Sequence, residues 1–297
     1  MSFTKVDKSK MYNQRITTER RGAIVIMIDL SASMKAEVHY YGDNTTKADM
    51  ATIAVNQLID ELLLRCRRFD VWQDYFDLCI VGYSGSGVVS LLSSEVEFVP
   101  ITSLLSRRRT TEVVLRHIPT REGVVVTPAT YSRWINPTFE GKTPMNDAFR
   151  TVTNLVRGWC RRRANVDRFP PLVFNITDGQ FTDASTEEML RSAERLTSTG
   201  TTDGNTLLMN IYYATPNEIR RERGFFLHPS NMPLPEARGL EELNRMASEI
   251  PEELCRRFAN YIEPHHRPPF KALCYNSSPE ELVNFLSIGT TSIVFGR

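Results

Sequence analysis

The sequence lacks the features that mark exported, disulfide-linked or membrane-spanning proteins. Its 297 residues include only five cysteines, and these contain no C-x-x-C pair. Widely spaced cysteines of odd number are typical of reduced core thiols rather than of a disulfide framework or a zinc site. No stretch approaches the roughly 18 apolar residues of a membrane span, and the polar N-terminus lacks the apolar segment of a signal peptide. We therefore expect a cytoplasmic protein.

An excess of charge of either sign is also lacking. Lysine and arginine number 36 against 35 aspartates and glutamates, which gives a net charge of +1. This balance argues against a globally nucleic-acid-like or strongly acidic protein. Nucleic-acid binding is the lowest-ranked function, and it would rest on three local arginine clusters: Arg65 with Arg67 and Arg68, Arg107–Arg109, and Arg161–Arg163.

An apolar run near the start of the chain ends abruptly in oxygen-bearing side chains. The run begins at Ala23 and ends in Asp29, Ser31 and Ser33. A continuous run rich in Ile and Val predicts a strand buried on both faces of a parallel sheet. Ligands of such sheets bind beyond the carboxyl ends of the strands, and oxygen side chains there can hold a hard cation such as Mg2+. Aspartate and serine are also ordinary cap and turn residues, so this stretch alone leaves both interpretations open.

Two later segments place polar residues at comparable positions. Thr143, followed by Pro144, predicts the N-cap and first turn of a long amphipathic helix. Asp178 follows a second apolar strand and precedes a turn glycine. We therefore expect Asp29, Thr143 and Asp178 to converge on one edge of the sheet.

Strands alternate with helices over most of the chain. This order predicts an α/β fold with a doubly wound, Rossmann-like, mostly parallel sheet and helices on both faces. We interpret residues 1–20 as a loose N-terminal lead-in and residues 21–297 as one domain. A glycine-containing turn after Tyr83 predicts one antiparallel hairpin at the sheet edge. Weak periodicity at about residues 100–140 indicates an insertion of loops and short strands.

The motifs, in this order, resemble the von Willebrand factor A domain with its metal-ion-dependent adhesion site. The shared pattern is D-x-S-x-S at 29–33, T-P before a long helix at 143–144, and I-T-D-G after a buried strand at 176–179. The match covers nearly the whole chain, and its one local departure is Ala32, where the family commonly has glycine. It is most similar to cytosolic bacterial members of the tellurite-resistance and stress-response type, through the stretches GKTPMNDAF, PLVFNITDGQFTD, FLHPSNMPLP, SEIPEEL and NFLSIGT.

The resemblance implies a metal site with few direct carboxylate ligands. The hydroxyls of Ser31, Ser33 and Thr143 would contact Mg2+, or alternatively Mn2+ or Ca2+. The carboxylates of Asp29 and Asp178 would act largely through bound waters. The cation would then stay electron-poor and keep one position open for an aspartate or glutamate of a partner protein.

The resemblance also implies the kind of function and partner. It predicts a non-enzymatic adaptor or scaffold in a bacterial stress-response or defence system, acting with a kinase, phosphatase or ATPase of that system. His39, Tyr40 and Tyr41 lie in the loop after Ser33 and would form a partner-binding rim, because aromatic side chains are favoured as interface anchors. Simple packing of that loop is the open alternative.

The runner-up function is a metal-dependent phosphoester hydrolase, in which the same cation would activate water. The sequence offers no evident general base and no second metal site for it. No Ser-His-Asp or Cys-His arrangement can be assembled, and the adjacent His265 and His266 lack the spacing of a metalloprotease motif. We therefore predict no catalytic residues.

Overall fold

The computed structural model describes most of the chain between residues 11 and 275. The described ranges are 11–40, 43–107, 110–120, 123–162, 167–214, 227–257, 262 and 266–275. They contain the helices α1 (Lys47–Arg65), α2 (Met145–Arg162), α3 (Thr186–Thr197), α4 (Leu240–Met246) and α5 (Glu252–Arg257), and two 3-10 helices at Ala32–Lys35 and Ile101–Ser106. None of these described helices combines the length and the apolarity that crossing a bilayer requires.

The strands are mostly short and spread along the whole described chain. In order they are β1 (Gly22–Asp29), β2 (Glu37–Tyr40), β3 (Asp43–Thr46), β4 (Arg67–Arg68), β5 (Val71–Trp72), β6 (Phe76–Ser84), β7 (Gly87–Ser90), β8 (Val99–Pro100), β9 (Thr110–Thr120), β10 (Gly123–Arg133), β11 (Leu172–Thr177), β12 (Gly200–Thr201), β13 (Gly204–Asn205), β14 (Leu207–Tyr212), β15 (His228–Pro229), β16 (Phe270–Lys271) and β17 (Leu273–Tyr275).

A seven-stranded sheet forms the centre of the fold. Its strand order is β17, β14, β11, β1, β6 and β7, and β8 also pairs with β6. The strands from β17 to β6 run parallel to their neighbours. β7 and β8 pair with β6 in the antiparallel sense. The predicted mostly parallel sheet with an antiparallel edge hairpin is therefore confirmed.

Both faces of the sheet are covered by helices, and the side chains of β1 alternate between the two faces. Ile24, Ile26 and Ile28 belong to one apolar cluster, which includes the buried face of α1. Val25 and Met27 belong to a second cluster with α2, α3 and α4. All eight residues of β1 are buried, as expected of a strand covered on both faces. The doubly wound arrangement with helices on both faces is confirmed.

The strand order makes the carboxyl end of β1 a switch point of the sheet. β6, the next long strand in the chain, lies on one side of β1, whereas the later strand β11 lies on its other side. In open α/β sheets a crevice forms beyond the strand ends at such a point, and ligands bind there. Asp29 ends β1 and Asp178 directly follows β11. The fold thus places one carboxylate on each side of this crevice.

The region between residues 100 and 140 differs from the prediction of loops and short strands. After the 3-10 helix at Ile101–Ser106, the eleven-residue strands β9 and β10 pair along their full length. Their many β-branched Thr and Val residues favour extended backbone. Pro119 and Pro128 weaken the strand pattern in the sequence, because proline is rare inside strands. Both strands of a two-stranded hairpin are edge strands, however, and proline is tolerated there.

Two side chains of α1 hold the end of this hairpin. Asn56 accepts hydrogen bonds at Oδ1 from the backbone N–H groups of Trp134 and Ile135 at 2.8 and 2.9 Å. It also donates from Nδ2 to the Ile135 carbonyl at 3.1 Å. Asp60 accepts from the backbone N–H of Ser132 at 2.7 Å and from the Trp134 indole at 2.9 Å. The hairpin is therefore held to the helix by buried and partly buried hydrogen bonds.

The described part of the N-terminal segment is not loose, contrary to the prediction. Tyr12 and Ile16 are buried in the core. The backbone N–H of Tyr12 donates to the Asp203 carbonyl at 2.6 Å. The Asp203 carboxylate accepts from the N–H groups of Asn13 and Gln14 at 3.0 and 3.1 Å. Two apolar residues in a polar segment give no periodic signal, so the sequence does not reveal this docking.

The sequence predicts N-caps at Thr46, with Asp49 three residues later, and at Ser185, with Glu188 three residues later, and the structure confirms both starts. Thr46 accepts from the backbone N–H of Asp49 at 3.0 Å before α1, and Ser185 forms a capping box with Glu188 before α3. The sequence also predicts a strand at 205–214 and helices at 240–249 and 252–261, and β14, α4 and α5 lie within these ranges. A further helix, which the sequence predicts from residue 278, lies outside the described residues.

Replacing Asn56 with alanine tests how the hairpin is anchored. The change removes the side-chain partner of the buried N–H and carbonyl of Ile135 and of the partly buried N–H of Trp134, and a buried group left unpaired costs about 1–3 kcal/mol. We expect urea denaturation to show a loss on the order of 3 kcal/mol in the free energy of unfolding. Glu61→Ala on the same helix removes only a partly exposed ion pair with Arg65 and should cost about 0.5 kcal/mol or less. Equal losses in both variants would contradict the anchoring role.

Candidate metal centre

Asp29 is fixed by hydrogen bonds to both of its carboxylate oxygens. The backbone N–H of Ser31 donates to Oδ1 at 2.9 Å, and the hydroxyl of Thr177 donates to Oδ2 at 2.7 Å. Asp29 is fully buried. Burial raises its pKa to about 6, and the two hydrogen-bond donors only partly offset that rise. The Thr177 contact ties β11 to β1 across the crevice.

The two serines of the D-x-S-x-S segment lie side by side. The hydroxyl oxygens of Ser31 and Ser33 are 3.0 Å apart. Ser31 is buried and Ser33 is partly exposed, so the pair leads from the interior to the surface. Ala32, between the two serines, is the first residue of the 3-10 helix. It is not among the described residues with positive φ. The turn therefore does not need the glycine that the family commonly has there.

Backbone contacts bring the segment before α2 against this turn. The N–H of Ala32 donates to the Gly141 carbonyl at 3.1 Å, and the N–H of Glu140 donates to the Leu30 carbonyl at 2.7 Å. Gly141 has φ of +72°, and a Cβ there would lie 2.9 Å from the Cα of Gly85. This close approach requires glycine, and it fixes the segment that carries Thr143.

Thr143 does not have the capping role that the sequence predicted. The helix α2 begins at Met145, and its N–H groups at Asn146 and Asp147 are bound by the carboxylate of Asp183 at 3.1 and 2.9 Å. The backbone of Thr143 exchanges hydrogen bonds with Thr182. Its hydroxyl has no hydrogen-bond partner among the described residues, and Thr143 is 3 % exposed. Because Asp183 caps the helix, the hydroxyl remains available to a ligand.

Asp178 forms a buried ion pair that the sequence did not predict. Its Oδ2 lies 3.2 Å from Nζ of Lys47, and the two side chains are 1 % and 3 % exposed. Lys47 is the first residue of α1, and its own backbone N–H donates to the Ala36 carbonyl at 3.2 Å. The ammonium group is therefore held in the same region as the D-x-S-x-S turn.

The donor set fits a hard cation. Carboxylate and hydroxyl oxygens suit Mg2+, Mn2+ and Ca2+ and do not suit thiophilic metals. No cluster of three or more His, Cys, Asp or Glu side chains that could hold a metal occurs in the described part of the chain. A cation at the switch point would thus depend on the hydroxyls, and the unpartnered hydroxyl of Thr143 is consistent with that requirement.

The predicted partner-binding rim is only partly described. His39 and Tyr40 belong to β2 rather than to a loop, and they pair in register with Asn44 and Asp43 of β3. Tyr41 lies outside the described residues. The hairpin forms next to the site between the 3-10 helix and α1. The role of these three side chains in recognition remains a prediction.

Three polar residues of the site were missed by the sequence reasoning: Lys47, Thr177 and Asp183. Lys47 gives the clearest signal in hindsight. A cation at the first position of a helix opposes the helix dipole, which favours acidic residues there. A lysine at that position therefore indicates a nearby carboxylate. Thr177 and Asp183 give no such signal, because their contacts depend on the tertiary fold.

Four of the five cysteines are not activated as nucleophiles. All five lie in the described ranges, and none forms a disulfide. Burial raises the pKa of Cys66 and Cys79 to about 12, and that of Cys160 and Cys255 to about 11. These four thiols stay protonated at neutral pH, and the thiolate is the reactive form.

No protein-family model and no curated protein sequence matches this chain. Solved structures similar to it include a von Willebrand factor type A protein from Catenulispora acidiphila, with 12 % identity and a TM-score of 0.48 over 96 % of this chain and 48 % of that chain. The SpRpn10 VWA domain is 11 % identical, with a TM-score of 0.46 over 91 % of this chain and 97 % of that one. This chain thus spans about half the length of the first structure. At these identities the comparison assigns neither a ligand nor a function.

The raised pKa of Asp29 predicts a pH dependence of stability in the metal-free protein. Its pKa is about 6 in the folded state against 3.8 normally, so between these values the folded state holds a proton that the unfolded state releases. Stability therefore falls as pH rises through this window, by about 3 kcal/mol in total. Asp29→Asn keeps the shape of the side chain without the charge.

Urea denaturation at pH 4, 5, 6 and 7 of the metal-free wild type and Asp29→Asn measures this contribution. The stability of the wild type relative to the variant should decrease by about 2.4 kcal/mol from pH 4 to pH 7. A relative stability that is constant or increases with pH would show that Asp29 is not a costly buried carboxylate.

Proposed function

We propose that this chain is a non-enzymatic interaction module that binds an acidic residue of a partner protein through a divalent cation, with Mg2+ as the expected ion. The observation that carries the proposal is the hydroxyl of Thr143, a residue only 3 % exposed, for which no hydrogen-bond partner is found among the described residues. It lies on the segment that contacts the turn of Ser31 and Ser33, at the switch point of the sheet.

Some of these residues would contact the cation directly, and others would contact it through bound water. Ser31, Ser33 and Thr143 would hold the cation through neutral hydroxyls, while Asp29 and Asp178 would act through water. A bound Mg2+ supplies a positively charged position that prefers oxygen ligands. Since the direct ligands are uncharged, most of this positive charge stays unneutralised. A carboxylate from a partner is the ligand that completes such a site.

The hydrogen bonding of the site favours binding over hydrolysis. A general base must be free to accept a proton from the attacking water. Both oxygens of Asp29 already accept hydrogen bonds, and Asp178 is paired with Lys47. The hydroxyl of Tyr83 donates to Asn175 at 2.8 Å, and burial raises its pKa well above the usual value. These neighbours therefore provide no available base.

The cellular setting is proposed from the sequence resemblance alone. We propose a cytoplasmic adaptor or scaffold of a bacterial stress-response or defence system, of the tellurite-resistance type, whose partner is a kinase, phosphatase or ATPase of the same system. The partner would present an aspartate or glutamate to the site. His39, Tyr40 and Tyr41 are proposed as the rim that contacts the surrounding partner surface.

Substitution of Thr143 tests the metal site with a matched pair of variants. Thr143→Val replaces the hydroxyl with a methyl group of similar shape, whereas Thr143→Ser keeps the hydroxyl. Mg2+ or Mn2+ at about a hundred times its Kd should stabilise the wild type and Thr143→Ser by roughly 2.7 kcal/mol, measured as a rise in Tm. Thr143→Val should fold but lose most of this response.

Two outcomes would count against the proposed function. If millimolar Mg2+ and Mn2+ leave the Tm of the wild type unchanged, the site is not an open metal site. If the metal-loaded wild type turns over bis(4-nitrophenyl) phosphate and Thr143→Val does not, the hydrolase alternative replaces the interaction module. Affinity for duplex DNA that falls steeply with salt would instead support the arginine clusters.

A further inference from the structure

The ammonium of Lys47 is a cation already present at the candidate metal centre. Its Nζ lies 3.2 Å from Oδ2 of Asp178, and both side chains are almost completely buried. Asp178 is its ionic partner among the described residues. Lysine is almost never buried to this extent unless it is paired. The pair is thus a feature of the site and not an incidental surface contact.

The position of Lys47 is unfavourable apart from this pair. Its backbone belongs to the first turn of α1, where the helix dipole repels positive charge. Burial of the ammonium adds a desolvation cost. Ala36, directly after the 3-10 helix that contains Ser33, accepts a hydrogen bond from the Lys47 N–H. This hydrogen bond fixes the start of α1 beside the segment that carries Ser33, so the ammonium group is held close to the site.

We propose that Lys47 is a tethered counter-ion that competes with the divalent cation for Asp178 and makes metal occupancy depend on the partner's carboxylate. This inference rests on the proposed function. With Asp29 and Asp178 ionised and Lys47 protonated, the site carries one net negative charge. A divalent cation reverses it to one net positive charge, and a carboxylate from the partner returns it to neutrality. Metal and acidic ligand therefore favour each other's binding.

Two consequences follow for the protein without its partner. Lys47 compensates Asp178 when no metal is bound, so the empty site remains folded. The same ammonium repels an incoming divalent cation and lowers its affinity. A site without this lysine would bind metal more tightly and would gain less from an acidic ligand.

The test compares Lys47→Met with Lys47→Arg. Methionine keeps an unbranched, flexible side chain without charge, and arginine keeps the positive charge. Titrations of Mn2+, followed by electron paramagnetic resonance of the free ion, give its Kd with and without a saturating Asp-containing peptide as the acidic probe. For the wild type and Lys47→Arg, we expect the peptide to lower the Kd about tenfold or more, within the usual range of coupling between sites.

Lys47→Met should bind Mn2+ at least tenfold more tightly than the wild type without peptide, and the peptide should then change its Kd less than threefold. A variant that binds Mn2+ equally or more weakly than the wild type would overturn the inference, because Lys47 would then position Asp178 for the metal. Absence of Mn2+ binding in both the wild type and Lys47→Met would instead refute the proposed function.

A measurement on the wild type covers the case in which Lys47→Met does not fold without metal. The side-chain 15N signal of the buried Lys47 ammonium, assigned by its absence in Lys47→Arg, should shift when Mg2+ and peptide are added together and should shift much less with Mg2+ alone. A signal that does not respond to Mg2+ and peptide together would show that the ammonium does not respond to the metal, and it would overturn the inference.

Discussion

Two buried carboxylates at the carboxyl ends of neighbouring strands are the constraint on which the rest of this structure depends. A carboxylate removed from water is costly unless hydrogen bonds or an opposite charge compensate it. Asp29 is compensated by an N–H and a hydroxyl, and Asp178 by the ammonium of Lys47. The two are compensated differently, because among the described residues Asp178 has a cationic partner and Asp29 has none. The region is consequently suited to accepting further positive charge.

The surrounding segments are arranged by these contacts. Thr177 joins β11 to β1 through Asp29, and Lys47 joins the start of α1 to Asp178. The segment before α2 is held to the serine turn by the backbone of Ala32, while Asp183 caps α2. Capping by Asp183 leaves the Thr143 hydroxyl unused. Several elements of the sheet and helices therefore meet at one polar crevice.

Much of the part of the fold that depends on neighbouring residues could be predicted from the sequence, although Asp183 and not Thr143 caps α2. The apolar run of β1, the capping residues Thr46 and Ser185, and the hairpin after β6 each depend on neighbouring residues, and each is confirmed. The hairpin of β9 and β10 was missed because proline weakens its pattern. The buried segment at Tyr12 was missed because it docks against residues almost 200 positions later.

The candidate site was predictable in part for the same reason. Asp29, Ser31, Ser33 and Asp178 lie at or after the ends of recognisable strands and Thr143 lies before a recognisable helix, and the structure brings the segments that carry them together. The ion pair between Lys47 and Asp178 spans 131 positions in the chain, so no local pattern encodes it. What distinguishes this crevice from a simple oxygen-rich site is thus a tertiary contact, and it is the feature that sequence alone could not supply.

A crystal structure of the protein with Mn2+ and an Asp-containing peptide tests the central claim most directly. Anomalous scattering locates Mn2+ without reference to the surrounding model. We expect a peak at about 2.0–2.2 Å from the hydroxyl oxygens of Ser31, Ser33 and Thr143, the distance expected for a small hard cation, with a peptide carboxylate as a further ligand. A structure at saturating Mn2+ with no peak at these hydroxyls would contradict it.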